Sequence, residues 1–173
     1  CIDDEINNFN ENNIIENKNF VPKATDIYIS TKTKIVYLNT LINLEECFWN
    51  IKIIPYHLQE EGVIKKQMKF NLLDYDHQQA VEEKILLEEN VDNQIISKII
   101  NPDGRIKFKD IRKISIGMCK KDILCFKTKK RGAFYNCFVL IIRIFIDNTF
   151  NEFHVKVFNA GKVEIPGIKN DNT

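Results

Sequence analysis

The chain has 173 residues, 44% hydrophobic and 28% charged, with a formal net charge of +1. That length fits one ordinary domain with a buried core, and the near-zero total excludes a uniformly cationic or anionic chain. Mean hydropathy is −0.26, and the longest apolar run, Cys137 to Ile142, is strand-sized and stops at Arg143, which excludes a membrane-spanning helix.

Residues 1–20 carry seven Asn and no apolar core, and they read as a flexible acidic arm rather than a secretory signal. From Asp26 to Lys34 the alternation of Ile27, Ile29 and Thr31 predicts a strand. Asn43 is a candidate N-cap for a short helix over Leu44–Ile51, with Leu44, Cys47, Phe48 and Ile51 on one face. Gly62 to Phe70 alternates as a strand with a basic face. Gln78 to Ile100 has apolar residues at helical spacing (Val81, Ile85, Leu86, Ile95, Ile96, Ile99), with a break near Asn90–Asn93. Asn101-Pro102-Asp103-Gly104 is a turn, and Arg105 to Lys109 alternates basic and apolar as a half-buried strand does; Ile111, Ile114 and Ile116 continue the apolar pattern to Gly117. Tyr135–Ile146, Phe153–Phe158 and Lys162–Ile165, separated by Asp147-Asn148-Thr149 and Asn159-Ala160-Gly161, form an antiparallel meander.

Charge is segregated along the chain. Residues 71–97 balance at −6 and residues 98–132 at +9. The basic segment offers Arg105, Lys107, Lys109, Arg112, Lys113, Lys129, Lys130 and Arg131 as phosphate contacts, set against a plain reading as a solvated basic face paired with the acidic stretch. The five Cys are an odd number without framework spacing, which favours a reducing compartment. Cys119, Cys125 and Cys137 lack the tight pairs of structural zinc, and the three His are scattered. No Ser/His/Asp or Cys/His arrangement has catalytic context, so no enzyme, cofactor or metal is expected. The 28 Ile, 21 Lys and 20 Asn reflect A/T-rich codons rather than function.

The order of short motifs resembles one lobe of the TATA-binding-protein family. Ile29-Ser30-Thr31 resembles its first strand, Ile42-Asn43-Leu44 its helix start, and Ile141-Ile142-Arg143-Ile144 the end of its long strand. Val157-Phe158-Asn159-Ala160-Gly161-Lys162 resembles its last turn, and Pro166-Gly167-Ile168-Lys169 its closing residues. Glu61–Phe70, Asn101–Lys121 and Ala133–Phe138 look closer to the TATA-binding-protein-like proteins of nucleocytoplasmic large DNA viruses.

The resemblance implies an α+β fold: a curved antiparallel sheet with helices on its convex face, a half-saddle. Residues 21–173 would be a single lobe, with 52–130 as an insertion containing an added helix and hairpin. It implies a transcription factor binding AT-rich duplex DNA in the minor groove through the concave face and the basic insert. The site would be viral: a host-cytoplasm virus factory, the nucleus or the virion. Partners would be proteins of the transcription machinery and either a second lobe or a homodimer, with no membrane. Phe158 matches a wedging Phe. The second wedge position falls on Cys137, so Phe138 or Phe134 fills it only with a shift of register. Ile29 and Lys156 would lie on the DNA-binding face. That face is apolar in the family, whereas Lys156, Glu164 and Pro166 stand there in this chain, and a carboxylate against the groove is repelled by phosphate. The alternative is a non-catalytic protein–protein adaptor or virion component that kept the fold and lost groove reading.

Overall fold

The computed structural model describes residues 24–125 and 134–168. The arm at 1–20 and the candidate contacts Lys129, Lys130 and Arg131 lie outside the described residues.

Seven strands form one curved, unclosed antiparallel sheet: β1 (Lys32–Tyr37), β2 (Gly62–Leu72), β3 (Val91–Ile100), β4 (Phe108–Gly117), β5 (Cys137–Ile146), β6 (Thr149–Phe158) and β7 (Lys162–Ile168). Their order across the sheet is β1-β7-β6-β5-β2-β4-β3. The helices are α1 (Leu44–Asn50), α2 (Tyr75–Leu86) and α3 (Lys120–Leu124). The chain is thus α+β, and none of the described helices is long and apolar enough to cross a membrane.

Local chemistry sets these elements. Asn43 Oδ1 accepts from the Glu46 amide at 3.3 Å and starts α1, while Asp74 Oδ1 accepts from the His77 amide at 2.8 Å and starts α2. Asp147 and Asn148 take φ of 51° and 60°, the left-handed pair that lets a two-residue turn join β5 to β6 with the strand twist preserved. Gly117, at φ +86°, ends β4 where its amide donates to Asn90 O and Met118 donates to Ile64 O.

The pleat divides the sheet into two unlike faces. One is covered by α1 and α2. There Phe48 packs with Met68, Phe70, Ile114, Phe138 and Val155, and Val81 closes the layer from α2. Phe48 meets Trp49 and Phe70 edge-on, with ring centroids 5.2 and 5.3 Å apart. The covered face also encloses charges. Lys66 is fully buried, donating to Ile51 O at 2.8 Å and to Glu88 at 3.0 Å. Arg112 is buried too, held by Asp110 at 2.5 and 2.9 Å and by Glu82 at 2.8 Å.

Three expectations about elements change. The strand foreseen at Asp26–Lys34 begins only at Lys32, where its described pairing with β7 opens at Lys32–Ile168. Ile29 therefore precedes the sheet, 76% exposed. The helix foreseen to Ile100 ends at Leu86, and Val91–Ile100 is an edge strand whose register slips between Ile95 and Ser97. That bulge breaks strict alternation and leaves an Ile-Ile pair that mimics helical spacing. The strand foreseen at Arg105 starts at Phe108, so Arg105 and Lys107 sit in the exposed connection between β3 and β4.

Candidate nucleic-acid interface

On the other face, side chains alternate out of phase with the core. β5 presents Cys137, Val139, Ile141 and Arg143, and their cross-strand partners on β6 are Phe158, Lys156, His154 and Glu152. One end of this face is covered. Ile64, Cys119 and Ile141 are buried there against Ile54 and Tyr56. Arg143 clamps the covering loop, donating from Nε to Glu60 O and from Nη1 to Tyr56 O, each at 2.9 Å, and from Nη2 to Leu58 O. A guanidinium saturated by backbone carbonyls is structural, with little left to offer a ligand.

Among the described residues, nothing packs over the opposite end. Phe158 is half-buried, and Lys162 Nζ stands 5.5 Å from its ring centroid. Lys156 lies opposite Glu164 in the register of β6 and β7, their charged atoms 3.9 Å apart, and Lys162 bonds the same carboxylate at 2.6 Å. The Lys162 ammonium, through that hydrogen bond, holds the Glu164 carboxyl below its ordinary range. Two cations and one anion leave this trio net positive, so Glu164 does not make the face acidic.

Further lysines share the face. Lys65 bonds Asp122 at 2.6 Å, Lys69 places Nζ 3.7 Å from the Tyr135 ring centroid, and Lys109 and Lys113 extend the row onto β4. The acids of α1 and α2 (Glu45, Glu46, Asp76, Glu82) belong to the covered side. The open side carries acids too, Asp122, Glu152 and Glu164, so the charge blocks of the sequence are not separated by face; lysines outnumber carboxylates there.

Several expected contact residues move. Phe138 is 2% exposed in the covered core, because Cys137, not Phe138, has the pleat phase of Phe158; it cannot wedge between bases. Arg112 cannot reach phosphate, because the even-numbered residues of β4 point under α2, where Asp110 and Glu82 hold it. Ile29 lies outside the sheet. Phe134 precedes β5 and is 69% exposed, while Lys156 and Phe158 are on the open face as required. Lys65, Lys69, Lys162 and Tyr135 were not singled out from sequence as contacts. The alternation of Gly62–Phe70 held the signal for Lys65 and Lys69, but the adjacent Lys66 points the other way.

The two buried thiols of this face are not activated. Burial, and then the hydrogen bond to Asp122, push the Cys119 thiol up; burial also raises Cys137. Both are protonated at neutral pH and poor nucleophiles. Among the described residues, no group of three or more His, Cys, Asp or Glu could hold a metal ion. No protein-family profile, curated protein or solved structure matches this chain.

Proposed function

We propose that the chain is a non-catalytic DNA-binding protein of a transcription system, built on one lobe similar to that of the TATA-binding-protein family, and that duplex DNA lies on the open sheet face. One observation carries the reading: Phe158 sits partly exposed on that face between Lys156 and Lys162, with both α1 and α2 packed on the other side. An aromatic ring flanked by ammonium groups on a broad sheet suits the minor groove, where an apolar wedge unstacks a step and lysines meet the flanking phosphates. The strand order β1-β7-β6-β5-β2, with α1 joining β1 to β2, supports the lobe assignment. With β2 counted in the lobe, the insertion would be narrower than 52–130 and would supply α2, β3 and β4, with Arg105 and Lys107 as further phosphate contacts.

Fluorescence anisotropy on AT-rich and GC-rich duplexes across a salt series tests the reading. The expected result is affinity that falls steeply with salt, with an AT preference that Phe158→Ala abolishes. Absence of binding to both duplexes at moderate salt overturns it. Glu164 favours a second reading, a protein adaptor, since a carboxylate in the middle of the face opposes close approach of phosphate. That reading predicts a stable protein complex or oligomer and only nonspecific DNA affinity.

A further inference from the structure

Beyond the Phe158 end of the open face, the sheet margin carries a shallow groove of about 620 Å³. Its floor is apolar: Ile42 and Leu44 from the start of α1, with Met68 and Phe70 from the end of β2. Its rim is polar: Asn43, Asn71, Asn159 and Glu45, whose carboxylate is already engaged by His77 Nε2 at 3.0 Å. Tyr135 forms one wall. The residue is 54% exposed, and the Lys69 ammonium lies over its ring, 3.7 Å from the centroid. Lys69 belongs both to this groove and to the open face. Asn159 follows Phe158 directly, and its amide donates to Asn136 O at 3.1 Å, which ties the groove to the end of the face where Phe158 stands.

An apolar floor, an aromatic wall and a few convergent amide groups are what a planar heteroaromatic ligand requires. Asn carboxamides pair with the donor and acceptor edges of bases, and exposed tyrosine rings stack on them. A shared lysine at the mouth fits the phosphate of a strand passing from the face into the groove.

We propose that this groove holds one unpaired nucleobase of a nucleic acid lying on the open face. The base stacks on Tyr135, Asn71 and Asn159 hydrogen-bond its edge, and Lys69 meets the adjoining phosphate. The inference rests on the DNA-binding reading above. It predicts a preference for duplexes carrying an unstacked or unpaired base over fully matched ones.

The test compares a matched duplex with the same duplex bearing one unpaired adenine, by anisotropy, for the parent chain, Tyr135→Ala and Asn71→Ala. The parent is expected to bind the unpaired-adenine duplex about tenfold more tightly, the scale of one base–aromatic stack. Tyr135→Ala should erase that preference, and Asn71→Ala should reduce it. Both residues are exposed, so neither change threatens the fold. Equal affinity for the two duplexes, or a preference that survives Tyr135→Ala, overturns the proposal. If neither duplex binds, the DNA reading fails. The groove is then decided by the trinucleotide dT-dA-dT alone: NMR shifts confined to the side-chain amides of Asn71 and Asn159 retain the base site, and unshifted spectra remove it.

Discussion

Under α1 and α2, strands β2, β4 and β5 bury Met68, Phe70, Ile114 and Phe138, and even the charges of that face, Lys66, Asp110 and Arg112, are buried, each held by an ionic partner. On the reverse of those strands stand Lys65, Gln67, Lys69, Lys113 and Val139, half-buried, with Ser115 buried among them. The same backbone therefore serves two purposes, separated by a pleat of one residue. Stability is concentrated on the covered face and charge presentation on the open one. Substitutions should sort accordingly: large losses of stability with little effect on ligand affinity on one side, the reverse on the other.

The largest effect is expected from Phe48→Ala. The ring is fully buried and meets both Trp49 and Phe70, so its removal should cost about 3–5 kcal/mol, read by urea unfolding. Phe158→Ala on the open face should cost about 1 kcal/mol or less, since the ring is half-buried and leaves no closed cavity. If the two variants lose stability equally, the division between the faces is wrong.

Arg112→Leu should be nearly as damaging. It leaves the carboxylate of Asp110, 0% exposed, without its partner, at a cost of about 3 kcal/mol or more. The double variant Asp110→Leu/Arg112→Leu should recover much of that loss, because the uncompensated charge goes with it. DNA affinity should be unchanged in refolded Arg112→Leu. A loss of affinity without a loss of stability would return Arg112 to the binding surface.

This pair also marks how far the sequence could be read. The meander of β5, β6 and β7 was legible, because regular alternation and two short turn signals fix strands and register together. The Asn43 cap was legible for the same reason: its chemistry is local. Arg112 was not, since Asp110-Ile111-Arg112-Lys113-Ile114 places a charge and an isoleucine on each side of the strand. The buried pairing with Asp110 and the carboxylate of Glu82, thirty residues earlier on α2, hold Arg112 inward, and neither is marked by the local pattern. β3 was missed because a bulge at an edge strand erases the period on which strand assignment depends. For the candidate site, Phe158 and Lys156 share one face of β6, as the alternation of Phe153–Phe158 implies. Phe138 was lost to a shift of one residue, the smallest error that a period of two permits.

Smaller still is the effect at the junction of the two faces. Gly117 ends β4 at φ +86°, and a Cβ there would meet Ile64 O and lie 2.8 Å from Ile53 Cγ2. Gly117→Ala should cost about 1–3 kcal/mol in thermal or urea unfolding, because the left-handed conformation and the backbone contact cannot both be relieved. A neutral result would show that the turn relaxes freely and that the loop over Ile64 is not pinned to the sheet.

The finest test concerns Glu164. Its folded pKa is depressed, first by the hydrogen bond from Lys162, so its contribution to stability is present above the unfolded carboxylate pKa and is lost as pH falls through the folded value. The carboxylate is near the surface and its ion pairs are screened, so Glu164→Gln should leave stability at neutral pH almost unchanged. Affinity is another matter. Removing the anion frees Lys156 and Lys162 together for phosphate, so DNA binding at neutral pH should tighten. The slope of log affinity against log salt should steepen by about one phosphate contact. Acidification protonates the carboxylate in the parent chain and does there what Gln does at every pH. The gap in affinity between parent and Glu164→Gln should therefore close as pH falls below the usual carboxylate range. A gap that persists in acid, or a variant that binds DNA no better than the parent, would mean that phosphate does not pass over β6 and β7, and would favour a protein partner on that face.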